Sequence, residues 1–272
     1  MQRLKYGWIV ALLLVFANPS YAQQDKDVLV FGIVPQQSAG KLLKAWGPVL
    51  KHIEKQVGKK IRFATAPTIG EFENRCLKGQ YDLAYMNPYH YVRFAKQPGY
   101  YVLANQSNKK LTGVFVVAKD SSAKQLSDLD SMTLHFPSPN AFAASLLPQA
   151  ELRAAGVNYK PHYAGSHDSV YRNVARGVAK AGGGIVRTFN AQGKTTSDKL
   201  TILKKTKGYT PHAIAAHPRV NKTLAQKVTQ ALLNLPDELR KPLKFKPLKA
   251  STDAEYNDIR ALNIDTMLGG NR

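Results

Sequence analysis

The chain has 272 residues, which allows one large domain or two lobes of ordinary size. It carries 39 Lys and Arg against 18 Asp and Glu, a formal net charge of +21, so a small anion, an anionic membrane surface or an acidic protein is the expected kind of partner. The only cysteine is Cys76, which excludes an internal disulfide, and the lysines are spread along the chain, which argues against nucleic acid.

The first 22 residues have the features of a secretory signal peptide. Arg3 and Lys5 give a basic start, residues 8–17 form an almost unbroken apolar run, and Ser20 and Ala22 are the small residues that a signal peptidase recognises. The apolar run is too short for a membrane span. We expect cleavage after Ala22 and release of the mature chain into the periplasm, which further argues against nucleic acid as a partner.

Strands and helices alternate in the first part of the mature chain. A β-rich run at 28–34 ends at Pro35, and apolar residues then recur at helical spacing over 39–57, where Pro48 predicts a kink or a restart. The elements that follow are a strand at 61–65, a helix at 68–78, a strand at 83–86 and a helix at 87–94. This alternation predicts an α/β fold with a parallel sheet covered by helices.

Residues at the carboxyl ends of these strands are candidate ligand contacts, since ligands of parallel sheets collect there. Polar residues follow the first strand, and a mixed aromatic, thioether and amide group ends the third. The candidates are Gln36, Gln37, Ser38, Tyr85, Met86, Asn87 and Tyr89.

The rest of the chain continues the alternation with more strands. The predicted elements are strands at 101–105 and 112–118, a polar crossover at 119–130, a short strand before 137, a helix from 141, a strand at 159–163, a helix from 167, strands at 182–186 and 201–203, a return crossover at 208–216, and helices after 221 and 252. The glycine-rich 182–186 lacks the ending of a nucleotide-binding loop and predicts a closely packed strand. Residues 241–249, a lysine- and proline-spaced near-repeat, predict an exposed extended segment.

A strand, a turn and a helix start meet in residues 134–148. The turn contains Ser138 and Asn140, and the helix begins with Ala141 and Phe142. Backbone N–H groups and the positive end of the helix dipole suit such a start to an anion. The alternative is an ordinary turn in which Ser138 or Asn140 caps the helix.

Four short motifs occur in a characteristic order. They are residues 32–35 with Trp46-Gly47-Pro48, residues 78–85, residues 136–148 and residues 164–168. Over nearly the whole mature chain this order resembles the periplasmic solute-binding proteins of phosphate, phosphite and phosphonate ABC importers. The resemblance implies a two-lobed Venus-flytrap fold, each lobe a mostly parallel sheet flanked by helices. Lobe 1 would comprise residues 23–118 and 211–272, and lobe 2 residues 119–210, with hinge crossings near Ala118 and Thr210.

The chain departs from this family at the ligand turn. The family turn typically reads Asp-Pro-x-Ser-Thr-Ser-Gly, and its hydroxyls hold phosphonate oxygens, whereas this chain has Ala141, Phe142 and Ala143 at the hydroxyl positions. We therefore expect weak binding of phosphate and aminoalkylphosphonates, and preference for an anion with an apolar or aromatic portion.

Other pocket positions are also changed. Lys180 falls in the segment where the family has an acidic residue that faces the ligand amine, and Ile69 and Met86 replace pocket tyrosines. A solvated Lys180 at a helix end is the alternative to a ligand contact. His167 is kept, and we expect it to face the cleft and donate a hydrogen bond to the ligand, with a capping or core role as the alternative.

The resemblance implies a periplasmic solute-binding protein that captures a small anionic ligand between two lobes for an inner-membrane ABC permease. A ligand-sensing subunit that partners a membrane histidine kinase or another membrane complex is the alternative. We expect a monomer.

An enzyme on the same fold is less well supported. The chain has no Gly-x-Ser-x-Gly or His-Glu-x-x-His motif and no Cys/His metal spacing, and no nucleophile is placed with His167 and Asp168. The sequence therefore predicts no catalytic residues, no metal and no cofactor. Cys76 lies among helix-like apolar positions, so a buried inert thiol is expected, with a reactive or ligand-binding thiol as the alternative.

Overall fold

A computed structural model describes residues 28–264. The predicted signal peptide and its cleavage after Ala22 lie outside the described residues. The strands are β1 Val28–Ile33, β2 Lys60–Ala64, β3 Leu83–Met86, β4 Tyr101–Gln106, β5 Leu111–Ala118, β6 Met132–Phe136, β7 Tyr159–Tyr163, β8 Ala181–Ile185, β9 Leu200–Tyr209, β10 Ala213–Ala216 and β11 Leu248–Ala250.

The helices lie between and after these strands. They are α1 Ala39–Val57, α2 Ile69–Leu77, α3 Pro88–Lys96, α4 Leu147–Ala154, α5 His167–Ala175, α6 Val186–Phe189, α7 Lys194–Ser197, α8 Lys222–Leu233, α9 Asp237–Arg240 and α10 Asn257–Arg260. A π-helical turn, Phe142–Leu146, precedes α4, and 3₁₀ turns occur at Leu126–Leu129, Lys241–Leu243 and Asp253–Tyr256. None of the helices within residues 28–264 has the length and apolar character needed to span a bilayer.

The strands form two sheets, as the two-lobed α/β prediction requires. The first sheet has the order β11-β4-β10-β3-β1-β2, and the second has the order β7-β6-β8-β5-β9. Both sheets are mixed rather than mostly parallel, because β10 runs antiparallel to β3 and β4, and β5 runs antiparallel to β8 and β9. β5 and β10 are the strands that enter each lobe directly from the other, and the edge strand β11 also runs antiparallel to its neighbour β4.

The chain crosses between the lobes earlier than predicted. β4 belongs to the first sheet and β5 to the second, so the first crossing lies between Gln106 and Leu111 and not at Ala118. The return crossing lies between Tyr209 and Ala213, close to the predicted Thr210. The sequence shows two consecutive strands here, but the choice of sheet depends on pairing with β8 and β9, which come much later in the chain.

The core of the first lobe is organised around α1. Trp46 is 1 % exposed, and its ring centroid lies 5.7 Å from Phe31, 4.9 Å from Tyr85 and 5.6 Å from Phe245. The helix continues through Pro48, so the predicted restart does not occur. It ends at Gly58, whose φ of 69° is a left-handed conformation that glycine adopts without steric strain.

The segment 241–249 is not the exposed extended segment that its lysines predicted. Leu243, Phe245 and Leu248 are buried, and Leu248 starts β11, which pairs with β4. The apolar residues between the lysines therefore close one edge of the first lobe. The lysines alone were a misleading signal for an exposed segment. Their long side chains reach solvent even where the neighbouring residues of the same segment are buried.

The glycine-rich strand β8 is packed as closely as predicted. A Cβ atom at Gly183 would lie 2.0 Å from the carbonyl oxygen of Ala144, and one at Gly113 of β5 would lie 2.1 Å from the carbonyl oxygen of Ala143. The π-helical turn therefore rests with its backbone directly on the two central strands of the second sheet. Only residues without a side chain permit this contact.

We predict that Gly183→Ala destabilises the protein by at least about 1–3 kcal/mol, because the added methyl group collides with backbone that cannot move aside cheaply. Urea unfolding followed by the fluorescence of Trp46 measures the change. The matched control is Gly193→Ala, where a Cβ would meet no atom within 4 Å and φ is −68°. Equal unfolding midpoints for the two variants would contradict the prediction.

Candidate functional site

The candidate site is the cleft between the two sheets. Loops after β1 and β3 approach it from the first lobe, and the π-helical turn and the start of α5 approach it from the second. Its central pocket is lined by Val34, Gln36, Ile69, Asn87, Ala141, Phe142, Ala143, Ala144, His167, Ile185 and His212. The pocket has a volume of about 10 Å³. A single water molecule needs about 10–15 Å³, so this pocket has no room for an oxyanion in the closed form.

Phe142 is the residue that fills the central pocket. It is 1 % exposed and belongs to the hydrophobic core of the first lobe, together with its neighbours Ala141, Ala143 and Ala144. Its ring lies edge-on to Tyr209, with 5.6 Å between centroids. The core of one lobe thus continues across the cleft into the turn of the other.

Polar contacts between the lobes surround this apolar centre. Lys41 Nζ lies 3.0 Å from Asp168 Oδ2. Asn87 Nδ2 donates to the backbone oxygen of Asn140 at 3.0 Å, and Asn140 Nδ2 donates to Glu73 Oε2 at 2.9 Å. Since each contact joins the two lobes, the structure is the closed form, and these contacts are lost when the lobes rotate apart.

Glu73 remains charged although it is largely buried. Burial raises its pKa, but the hydrogen bonds from His90 and Asn140 outweigh burial and leave the pKa below its ordinary value. Its other close partner is Arg93, with 3.6 Å between Arg93 Nη1 and Glu73 Oε2. A charged Glu73 is therefore available to anchor the Asn140 turn against the first lobe.

His167 is buried at the start of α5 and lines the central pocket. Its Nδ1 lies 3.1 Å from Thr188 Oγ1. Burial, with the nearby positive charge of Arg187, lowers the pKa of His167 to about 3, while Asp168 opposes the shift. The imidazole is therefore neutral near pH 7, and its contact with a ligand stays a prediction.

A chain of hydrogen bonds joins Arg187, Gln36 and His212 across the cleft. The Arg187 guanidinium donates to Gln36 Oε1, and Gln36 Nε2 lies 3.0 Å from His212 Nε2. Because the amide oxygen accepts from Arg187, the amide nitrogen donates to His212 Nε2, which places the ring proton on Nδ1. Burial and then the charge of Arg187 hold the pKa of His212 well below its ordinary value, so this ring is also neutral.

A second, larger cavity adjoins this chain on the hinge side of the cleft; we call it the hinge-side cavity. Its volume is about 260 Å³. It is lined by Tyr85, Gln106, Lys109, Lys110, Leu111, Thr112, Ile185, Val186, Arg187, Lys205, Pro211 and His212. Both crossings between the lobes contribute to its wall, so a change in the hinge angle alters its shape.

Arg187 is the cleft cation that the sequence did not single out. It directly follows β8 and Val186, at the carboxyl end of a predicted strand, so the rule that selected Gln36 and Asn87 would have found it. Lys180, the predicted cation, is exposed in the loop before β8 and lines neither cavity.

The remaining predicted residues occupy different surroundings. Gln37 is partly buried and Ser38 exposed at the start of α1, and neither lines a cavity. Met86 is fully buried in the first lobe. The Arg93 guanidinium lies 5.8 Å from the centroid of the Tyr89 ring. Of the predicted residues, Gln36, Asn87, Ala141, Phe142 and His167 meet in the central pocket, while Tyr85 lines the hinge-side cavity.

Neither Ser138 nor Asn140 caps the helix start, which was the alternative explanation of the turn. Ser138 Oγ is buried without a hydrogen-bond partner, and the Asn140 side chain is directed to Glu73. Cys76 is buried as expected, and burial raises the pKa of its thiol well above the ordinary value. Within residues 28–264 no group of three or more His, Cys, Asp or Glu is arranged to hold a metal ion.

We predict that His167 makes folding stability depend on pH. Its pKa is about 3 in the folded chain and near 6.5 when unfolded, so below pH 6.5 the unfolded state binds the additional proton and stability falls. His167→Gln should reduce the loss of unfolding free energy between pH 7 and pH 5 by about 2 kcal/mol. Urea midpoints at both pH values test this, with the exposed His162→Gln as control, and an unchanged slope for His167→Gln would contradict it.

A family model and two related proteins agree on the family to which the chain is similar. A family model described as "ABC transporter, phosphonate, periplasmic substrate-binding protein" matches residues 31–256. The chain is 24% identical over 189 residues to the phosphate-import protein PhnD of Mycolicibacterium smegmatis, covering 59% of this chain. It is 28% identical over 202 residues to the probable ABC transporter phosphite binding protein PhnD1 of Prochlorococcus marinus, covering 67% of this chain. The chain spans 56% and 66% of the length of these two relatives.

The fold agrees with the family match. The structure of Prochlorococcus marinus PhnD1 in complex with methylphosphonate superposes with a TM-score of 0.81 at 20% sequence identity, covering 89% of this chain and 98% of that one. At this identity the likeness concerns the fold. The family model, by contrast, spans most of the sequence from β1 to the last 3₁₀ turn. The chain therefore belongs to the phosphonate-type periplasmic substrate-binding proteins of ABC transporters.

Proposed function

We propose that this protein is a periplasmic solute-binding protein that captures a small anionic ligand between its two lobes and delivers it to an ABC permease. The observation that carries the proposal is the meeting of Arg187 from the second lobe with Gln36 from the first and His212 from the return crossing. Because residues from both lobes meet at this cation, an anion bound to it stabilises the closed arrangement of the lobes. Export by cleavage after Ala22 and a monomeric state belong to the same proposal.

The ligand differs from those named for the relatives, which are phosphate, phosphite and methylphosphonate. Ala141, Phe142 and Ala143 provide no hydroxyl groups at the turn, and Phe142 fills the pocket beside them. Arg187 disfavours an amine. The ligand is therefore an anion with an apolar or aromatic portion.

A periplasmic sensor subunit is the second candidate function. It is favoured by the direct closure of the lobes through Lys41 with Asp168 and Asn140 with Glu73, since a signalling receptor can use closure itself as its output. Photo-crosslinking from the cleft rim in the native host distinguishes the two: a permease identifies transport, and a membrane histidine kinase identifies sensing.

We predict weak or absent binding of inorganic phosphate, phosphite and aminoethylphosphonate. The charge-assisted hydrogen bonds that hydroxyl groups would make are missing, and each is worth about 1.5–3 kcal/mol. Titration calorimetry on the purified protein measures the affinities. As a control, restoring the family hydroxyls with Ala141→Ser, Phe142→Thr and Ala143→Ser should increase phosphate affinity at least tenfold. Submicromolar binding of phosphate or aminoethylphosphonate by the unaltered protein would overturn this prediction.

We also predict that ligand binding compacts the protein in solution. The two crossings, at residues 107–110 and 210–212, allow the lobes to rotate without unfolding either core. A thermal-shift screen of oxyanions, amino acids and aromatic acids identifies a ligand, because binding raises stability by mass action. Small-angle scattering with that ligand should give a smaller radius of gyration. A constant radius with a ligand proven to bind would refute capture between the lobes.

A further inference from the structure

Arg187 is a partly buried cation for which the described residues provide no carboxylate partner. Its guanidinium donates to Gln36 and lies 5.8 Å from the Phe245 ring centroid. None of the ion pairs between residues 28 and 264 includes it. A guanidinium has five N–H donors in a rigid plane that matches a carboxylate or a phosphate, so most of its binding capacity is left for a ligand.

The hinge-side cavity next to Arg187 is cationic at its rim. Lys109 and Lys110 come from the first crossing, Lys205 comes from β9, and no Asp or Glu is among the lining residues. These three lysines are exposed and do not take part in the ion pairs between residues 28 and 264. Such a rim attracts negative charge in addition to that bound by Arg187.

The inner wall of the hinge-side cavity is apolar and aromatic. Tyr85 is 3 % exposed, and its ring stacks on His212 with 5.0 Å between centroids. Leu111, Ile185 and Pro211 complete this wall. The Tyr85 hydroxyl is buried without a well-formed hydrogen bond; burial raises its pKa, and the neighbouring charge of Arg187 opposes that shift.

We propose that the hinge-side cavity binds an organic anion that carries at least two negatively charged groups on a short apolar or aromatic body. One charged group pairs with Arg187, the other with Lys110 or Lys205, and the body lies against Tyr85. At about 260 Å³ the cavity is slightly below the ~300–1,000 Å³ of pockets for drug-sized ligands, which suits a metabolite. This inference names the ligand class of the proposed binding function and rests on it.

The test compares two matched pairs of probes by titration calorimetry on the purified protein. The pairs are benzoate with terephthalate, and phenylphosphonate with 4-carboxyphenylphosphonate. Within a pair only one carboxylate is added, so a gain of at least tenfold reports a second cationic contact. The carboxylate and phosphonate pairs distinguish a dicarboxylate from a phosphorus-based ligand. Equal affinities within both pairs would overturn the proposal.

Variants of the protein test whether the gain in affinity from the second carboxylate arises in the hinge-side cavity. The double variant Lys110→Gln/Lys205→Gln should abolish the advantage of the second carboxylate, whereas Lys180→Gln, an exposed lysine away from the cavity, should preserve it. Arg187→Gln should lower the affinity for all four probes at least tenfold. If Arg187→Gln also lowers the melting temperature, its loss of affinity could come from a damaged fold. The double lysine variant then decides whether the cavity binds the second carboxylate, because it changes only exposed side chains. Retention of the advantage in the double variant, or its equal loss in Lys180→Gln, contradicts the proposal.

The two proposals fail in distinguishable ways. A doubly charged probe that binds through Lys110 and Lys205 but leaves the scattering radius unchanged supports the ligand class and contradicts capture between the lobes. A different ligand that compacts the protein, together with equal affinities within both probe pairs, supports capture and contradicts the ligand class.

Discussion

The contact on which the closed cleft depends is backbone against backbone. The carbonyl oxygens of Ala143 and Ala144 occupy the space that Cβ atoms would take at Gly113 and Gly183. This contact seats the π-helical turn deep on the second sheet. Phe142, at the front of the same turn, then reaches the core of the first lobe. The absence of a side chain at Gly113 and at Gly183 thus determines where the two lobes meet.

The cleft contains two unequal spaces, which share Ile185 and His212 in their walls. The central pocket is reduced to about 10 Å³, while the hinge-side cavity keeps about 260 Å³. The side chain that marks the border is Arg187, which bonds to Gln36 across the cleft and faces no carboxylate. The proposed anion site therefore lies further toward the hinge than the turn at residues 138–142, where the family resemblance implies ligand contacts.

The electrostatics of the cleft follow from the same arginine. Its charge, added to burial, keeps His167 and His212 neutral, because a second positive charge nearby in a poorly solvated site is unfavourable. Neutral imidazoles can accept hydrogen bonds, and His212 does so from Gln36. Positive charge in the cleft is therefore concentrated on one side chain and on the lysine rim, which is suited to a ligand with separated negative groups.

The sequence by itself determined the α/β alternation, the helix that ends at Gly58, the packed glycine strand and the family, because these depend on residues close together in the chain. It also indicated five residues of the central pocket: Gln36 and Asn87 through the rule of strand ends, Ala141 and Phe142 through the turn before a helix start, and His167 through the family resemblance. The tertiary structure alone decided that β5 joins the second sheet, that Phe245 is buried, and that Arg187 reaches the cleft while Lys180 does not. Those outcomes depend on pairings between distant residues, such as Arg187 with Gln36, 151 positions apart, whose approach only the packing of the two lobes can bring about.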